Sequence, residues 1–372
     1  MNPMAKINLN LISNLLIYFV ISILSGQMLN AQNFKLYAAH DLDRIYEDGY
    51  KLPNLNNTVN LFGIRGEVIS GQVVIHARKA LSGVTVELNG LTNQLNGRSI
   101  PANTVRCNFV GSIPLVKNTP NQPPRELERL APARFPEYLM SEKNIDIPAK
   151  TYKSVYLTIQ IPEDASDGIY QGTIKVSSAG EEQTLPLTLK VYPLTLPAKR
   201  NLKVTEWYST ADFERFHGIK EKYSPEWFEM LRRYAENMAA HRQNVFQVPM
   251  SSIEIRKTSG GILKFNFDKF DQTAQVFWDT KGMDYLETGE LVRFGSDAWF
   301  STDLKLQDFR IIDELSGKTE TIPGKDVIPY LLPAFESHLR EKGWLNKTLF
   351  HVKDEPSMHN SIAWKEMSEY IH

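Results

Sequence analysis

At 372 residues the chain has room for roughly two domains of ~100–200 residues each. Its 42 Lys and Arg balance 43 Asp and Glu, without a long run of either sign. The basic excess of a polyanion-binding surface is therefore missing, and nucleic acid is not an expected partner. Aromatic residues make up 10% of the chain, enough for a sizeable core, and they are also the residue types on which sugars stack.

The first segment reads as a targeting signal over residues 1–31. Lys6 supplies a positive start, Leu11 to Leu24 an apolar stretch, and Ala31, after Leu29-Asn30, a small residue at a plausible cleavage point. The stretch is short for a membrane span, so the expectation is export to the periplasm or beyond with no stable membrane insertion after cleavage; an uncleaved anchor is the alternative. Lipid attachment is not indicated, since no cysteine lies near the cleavage point. The single Cys107 cannot form an intramolecular disulfide, so a large core must supply stability. Cys107 itself sits in an apolar stretch and reads as buried filler.

Residues 33–196 alternate with period two. Val84-Thr85-Val86-Glu87-Leu88 does so, as do Val155, Leu157, Ile159 and Ile161, and again Leu185, Leu187, Leu189 and Val191. One face buried and one solvated is the mark of antiparallel sheets. Turns are placed at Glu163 to Gly168 and at Ala179-Gly180, and several short strands at this spacing predict an all-β sandwich. The Pro-bearing stretch Asn118 to Met140 is expected to wrap over the surface, and Pro193 and Pro197 bracket the domain exit.

Over residues 201–372 the period changes. Asn201 to Tyr208 reads as a strand, followed by a helix starting at Ser224-Pro225-Glu226 with Phe228, Leu231, Ala235 and Met238 on one face. Asn244 to Val248 is the next strand, followed by a hairpin insertion from Ser251 to Phe267. Asp268 is placed as the cap of a second helix carrying Phe270, Ala274 and Phe277, with Gly282 at its end. Met283 to Glu287 forms a third strand. Beyond a polar insertion from Phe294 to Thr321, Val327, Leu331, Phe335 and Leu339 form a third helical stripe closed by Gly343. A fourth strand then runs into Asp354-Glu355-Pro356. Strand–helix repetition of this kind predicts parallel βα units. A complete (β/α)₈ barrel needs about 250 residues, and fewer follow the linker. Two readings remain: a smaller open α/β domain, or the N-terminal half of a (β/α)₈ TIM-type barrel in a truncated chain. The second is favoured because an open apolar sheet face with a free edge is an unfavourable end product.

Leu349 to Val352 is an apolar run that delivers two adjacent carboxylates, Asp354 and Glu355, to the end of a strand, where chemistry sits in β/α proteins. Pro356 is expected to hold Glu355 extended. The other Asp-Glu pair, Asp313-Glu314, precedes Ser316-Gly317 and reads as a solvated turn. Crowded like charges raise one carboxyl's pKa, so that one group can donate a proton while its neighbour stays ionised. Adjacent residues are too close to flank a glycosidic bond from opposite sides, which points to assistance by a substrate's own 2-acetamido oxygen.

Three stretches carry a family resemblance: Asn237 to Val245 (NMAAHRQNV), Met283 to Leu291 (MDYLETGEL), and Gly343-Trp344 followed by His351-Val352-Lys353-Asp354-Glu355-Pro356. Together with Pro162 to Ile174 in the first half, they resemble glycoside hydrolase family 123, over the chain from about Asn33 to its last residue. That resemblance implies a β-sandwich before a (β/α)₈ domain and retaining removal of a terminal β-linked N-acetylhexosamine, here N-acetylgalactosamine. It makes Glu355 the general acid/base and Asp354 the group that polarises the acetamido N–H, with an oxazolinium intermediate and no cofactor. The family's later barrel residues, including a tyrosine supporting the acetamide oxygen, have no counterpart here, so weak or absent activity is expected of this chain.

Trp207 and Tyr208 could wall a sugar pocket or simply pack, Glu290 could bond sugar hydroxyls, and His351 could line the pocket floor or fill a barrel layer. His241 and Arg242 read as structural. The scattered histidines suggest no metal site, and no nucleophile elbow or phosphate loop is visible. The expected partner is a carbohydrate, as a glycan or glycolipid. The rival readings are a non-catalytic carbohydrate-binding surface protein and a glycosidase acting on a sugar without an acetamido group.

Overall fold

Alternation in the first half of the chain becomes burial on one face of each strand. In the computed structural model, which describes residues 32–296 and 301–371, Val155, Leu157 and Ile159 on the strand Thr151–Gln160 are fully buried. Leu185, Leu187, Leu189 and Val191 on Glu181–Thr195 are nearly so. The first strand lies in a five-stranded sheet and the second in a seven-stranded one, and one apolar cluster draws side chains from both. The hairpin between Gly168–Ser178 and Glu181–Thr195 turns on Ala179 (φ 46°) and Gly180 (φ 86°), the pair of positive angles that a tight hairpin needs. The targeting signal expected over 1–31 lies outside the described residues.

The stretch from Asn118 to Met140 is more ordered than its prolines suggest. Ala133–Leu139 forms a strand against Val105–Leu115, and Pro136 sits beside the register irregularity between Gly111 and Ser112. Proline is tolerated on such an outermost strand because its missing N–H costs no interior ladder bond.

A second unit starts at Pro197, and it is α/β where the first is β-rich. Helix α1 (Pro225–Ala240) opens as its sequence dictates: Ser224 Oγ accepts the Trp227 N–H at 3.2 Å and Pro225 takes the first helical position. Its buried stripe is Trp227, Leu231, Ala235 and Ala239, with Phe228 and Met238 only partly covered. Strand β1 (Val245–Val248) follows, then α2 (Asp268–Trp278), β2 (Tyr285–Thr288), α3 (Ile328–Glu341) and β3 (Thr348–Leu349). The three strands form one parallel sheet in the order β1-β2-β3. Phe270, Ala274 and Phe277 on α2, and Leu331, Phe335 and Leu339 on α3, are fully buried in a second apolar cluster. Helix α4 (Ser361–Ile371) closes the described chain. Among the described residues no helix is long and apolar enough to cross a membrane.

Several expected elements are altered. Asn201 to Tyr208 is not a strand; only Thr205 bridges, in parallel, to Val245. The Asn244 side chain takes the place of a ladder there, accepting the Val204 N–H at 2.8 Å and donating to the Leu202 carbonyl at 3.1 Å. Phe267, not Asp268, occupies the cap position of α2, and Asn266 Oδ1 accepts the Asp268 N–H at 2.7 Å. The polar insertion after β2 holds four short strands between Val292 and Ile322, paired two by two as hairpins. The fourth predicted strand shrinks to Thr348–Leu349.

Phe277 stacks on Phe246 with centroids 4.6 Å apart and meets Tyr208 at 5.5 Å. Phe277→Ala should therefore remove about 3–5 kcal/mol from the unfolding transition of the second unit, the range for a fully buried phenylalanine. Urea unfolding followed by tryptophan fluorescence measures it, and a loss below about 1 kcal/mol would mean that this layer is not the core of the unit.

Candidate active site

β2 is a buried strand with one charge in it. Leu286 and Thr288 are fully covered, yet between them Glu287 turns a carboxylate to the opposite face, at 7% exposure. Glu287 Oε2 accepts from Thr205 Oγ1 at 2.7 Å, and Oε1 accepts from Trp207 Nε1 at 3.2 Å and from His351 Nδ1 at 2.8 Å. Burial pushes this carboxyl up, but the bonds from His351 and Thr205 and the charge of His351 outweigh it, so its pKa stays below the ordinary value. His351 moves the other way. Its bond to Glu287 raises the imidazole above its usual value against the cost of burial, and the charges of Glu290 and Asp354 add to the rise. The half-exposed Trp207 ring lies 5.3 Å from the His351 ring.

The loop after β2 holds the segment after β3. The His351 N–H donates to Thr288 Oγ1 at 3.0 Å, and the N–H groups of Leu291 and Val292 donate to the His351 and Val352 carbonyls at 3.1 and 3.0 Å. Glu290 Oε1 then accepts both the Lys353 ammonium at 2.8 Å and the Asp354 N–H at 3.1 Å. Lys353, itself nearly buried, also lies over the Phe294 ring at 4.6 Å. Asp354 and Glu355 form a bend rather than a strand end, with Asp354 half-buried and Glu355 exposed. Glu355 has φ 49° rather than the extended backbone expected before Pro356. Proline disfavours the right-handed helical region for its predecessor, but nothing in its own ring calls for a left-handed one. Past the bend, Asn360 Oδ1 accepts the Ser357 N–H at 2.8 Å.

Trp207 and His351 are thus linked through Glu287 of β2, and Lys353 and Asp354 through Glu290 of the loop after it. Tyr208 is directed elsewhere: its ring packs on Phe277 of α2 and its hydroxyl donates to the Gln247 carbonyl at 2.8 Å. Burial drives that phenol well above its ordinary pKa. Glu290 is engaged by Lys353 and the Asp354 backbone. Among the described residues no group of three or more His, Cys, Asp or Glu is placed to hold a metal ion.

Two family models match the chain: the glycoside hydrolase 123 N-terminal domain over residues 41–178 and the glycoside hydrolase 123 catalytic domain over residues 207–372. The chain belongs to glycoside hydrolase family 123. A family 123 enzyme from Clostridium perfringens, which hydrolyses glycolipid glycans, has a similar fold with a TM-score of 0.72 at 20% identity, over 92% of this chain and 61% of that one. The chain therefore spans about 61% of that relative's length. A PapD-like domain of human CEP192 (10% identity, 44% of this chain and 87% of that one) and the CooA pilin subunit of Escherichia coli (20% identity, 41% and 98%) each reach a TM-score of only 0.23, too low to carry an argument. No curated protein sequence matches. Within the family 123 catalytic match lie Trp207, Glu287, Glu290, His351 and the Asp354-Glu355 bend.

Sequence reasoning passed over Glu287, Thr205 and Lys353. The signal for Glu287 was a carboxylate inside a short strand otherwise meant for burial, since such a charge persists only when paired. Thr205 and Lys353 carry no comparable signal, because their partners are remote in sequence.

The ion pair should leave a mark on stability. His351, raised in the fold, contributes below the ordinary imidazole value of about 6.5 and loses its contribution as pH climbs through its folded value. Glu287, lowered in the fold, contributes above the ordinary value of about 4.5 and loses its contribution as pH falls through its folded value. The melting-temperature difference between the parent chain and His351→Gln should therefore be largest between about pH 4.5 and 6.5 and shrink on either side. A difference that stays flat from about pH 4 to 9 would show that the pair is not ionised in the fold.

Proposed function

We propose that this chain is an exported glycosidase that removes a terminal β-linked N-acetylhexosamine, specifically N-acetylgalactosamine, from a glycan such as that of a glycolipid. One observation carries the reading: the Asp354-Glu355 bend, pinned by Glu290 beyond the carboxyl end of β2 in a chain of glycoside hydrolase family 123. The two sheets of the first unit are read as a β-sandwich, and the Thr205 segment with β1, β2 and β3 as the first four strand positions of a (β/α)₈ barrel. The carboxyl ends of such strands are where substrates bind.

In this mechanism Glu355 gives its proton to the glycosidic oxygen as the C1–O bond breaks. The 2-acetamido oxygen closes on C1, and Asp354 accepts a hydrogen bond from the acetamido N–H, stabilising the positive charge of the resulting oxazolinium ion. Glu355, now ionised, takes a proton from water as that water attacks C1 and reopens the ring, so the anomeric configuration is retained. No cofactor is required. Trp207 and His351 are read as part of the pocket wall. Glu290 is read as holding the bend rather than bonding the sugar.

The test is hydrolysis of an aryl N-acetyl-β-galactosaminide. Glu355→Gln should lower kcat by about 10²–10⁴-fold while N-acetylgalactosamine still binds. A matched aryl galactoside with a 2-hydroxyl should be turned over poorly, because it offers no internal nucleophile. Equal rates on both substrates would rule out acetamide assistance, and sugar binding without turnover by the parent chain would leave a binding protein instead.

A further inference from the structure

No other Asp or Glu among the described residues is as buried as Glu287. An ionised carboxylate in that position costs several kcal/mol of desolvation unless hydrogen bonds offset it. Its three donors come from two segments remote from it in sequence: Thr205 and Trp207 on the stretch that bridges to β1, and His351 on the stretch that follows β3. Two of these donors are side chains with a face left over. Trp207 keeps half of its surface exposed, and His351, with Nδ1 committed to Glu287, has Nε2 as its remaining polar atom.

We propose that Glu287 is a positioning residue for the sugar site: it fixes His351 so that Nε2–H donates to a sugar oxygen, and it fixes the Trp207 ring as the apolar wall beside that oxygen. The proposal rests on reading the neighbouring Asp354-Glu355 bend as a glycosidase centre. Its chemistry follows from the charges around the imidazole. Glu287 from β2, Glu290 from the loop after it and Asp354 from the ring's own segment all favour imidazolium, while Lys353 is paired with Glu290. An imidazolium donates from both nitrogens, so a ring that gives Nδ1–H to Glu287 also has a proton at Nε2 to give. A neutral ring in the same orientation would keep its proton on Nδ1 and present a bare lone pair at Nε2, which can accept from a sugar hydroxyl but cannot donate to a ring, glycosidic or acetamido oxygen.

The experiment uses the full chain. The His351 ring is titrated by NMR, and N-acetylgalactosamine binding is measured by calorimetry, in the parent and in Glu287→Gln, which keeps an oxygen acceptor but removes the charge. The expected result is a fall of about one unit or more in the His351 midpoint and about tenfold weaker sugar binding, in a variant that still unfolds cooperatively though at a lower melting temperature. Where the parent turns over the aryl substrate, the alkaline limb of its kcat/KM profile should move to lower pH in the variant by the same amount. His351→Gln should weaken binding equally, and the double variant no further, because both changes remove one device. An unchanged His351 midpoint, parent-like binding in Glu287→Gln, or additive losses in the double variant would each overturn the proposal.

If Glu287→Gln does not fold, His351→Gln and Trp207→Phe replace it, and parent-like sugar binding in both is the overturning result. A parent chain that binds sugar in a Glu287-dependent way but never turns over substrate sinks the catalytic reading alone. An active parent matched by Glu287→Gln sinks this inference alone. A parent that binds no N-acetylated sugar removes both.

Discussion

The second unit is organised around one buried carboxylate. Glu287 sits in the middle strand of a parallel sheet, where a charge is tolerated only if nearly all of its hydrogen-bonding capacity is used. A hydrogen bond to a charged group contributes about 1.5–3 kcal/mol net, so three of them can offset a desolvation cost of several kcal/mol, and losing one narrows that margin. Thr205, Trp207 and His351 are therefore interdependent. The chain before α1 is held by irregular contacts rather than by a ladder: one bridge at Thr205, the bonds made by Asn244, the Arg200 guanidinium on three carbonyls, and Tyr208 on Gln247 and Phe277. Without the carboxylate this segment would lose the hydrogen bonds that Thr205 and Trp207 make to β2.

Three residues further on, Glu290 does a comparable job on the Asp354-Glu355 segment. It neutralises Lys353 and accepts the Asp354 N–H with the same oxygen, so charge pairing and backbone placement are joined in one contact. The next residue, Glu355, has a left-handed backbone, a conformation that costs about 1–3 kcal/mol for a residue other than glycine and persists only where its surroundings over-determine it. Here the surroundings include the Glu290 clamp before it and the Asn360 side chain holding Ser357 after it. The loop after β2 thus sets the geometry of the loop after β3.

The sequence made the repeating parts of the fold visible and left the particular ones hidden. Alternation at Leu185, Leu187, Leu189 and Val191, and helical spacing at Val327, Leu331, Phe335 and Leu339, translate directly into burial because burial is what creates those patterns. Ser224-Pro225 marks a helix start for an equally local reason. What failed did so where a side chain took over a backbone group. Asn244 replaces a ladder at 202–204, Asn266 displaces the expected cap at Asp268, and Pro136 conceals a strand. The Asp-Glu pair was legible from its position after an apolar run. Its supports were not, because Glu287 and Glu290 meet His351 and Lys353 across some sixty residues of intervening chain.

The early end of the strand suits the role proposed for the pair. Successive side chains on an extended strand point to opposite faces, so an Asp and a Glu adjacent in a regular strand could not both address one substrate. The hydrogen-bonded strand stops at Leu349, and beyond it the His351 and Val352 carbonyls are taken by Leu291 and Val292 at the start of the insertion instead of by β2 itself. That frees the backbone to bend at Asp354 and Glu355 while keeping it tethered on both sides. The bend abolishes strict alternation, and with it the rule that would separate the two carboxylates. Pro356, which disfavours a right-handed helical conformation at Glu355, keeps the bend from being absorbed into the helix that follows. A distorted strand end held by the partly buried Glu290 carboxylate is thus what two neighbouring acids need if they are to act on the same ring.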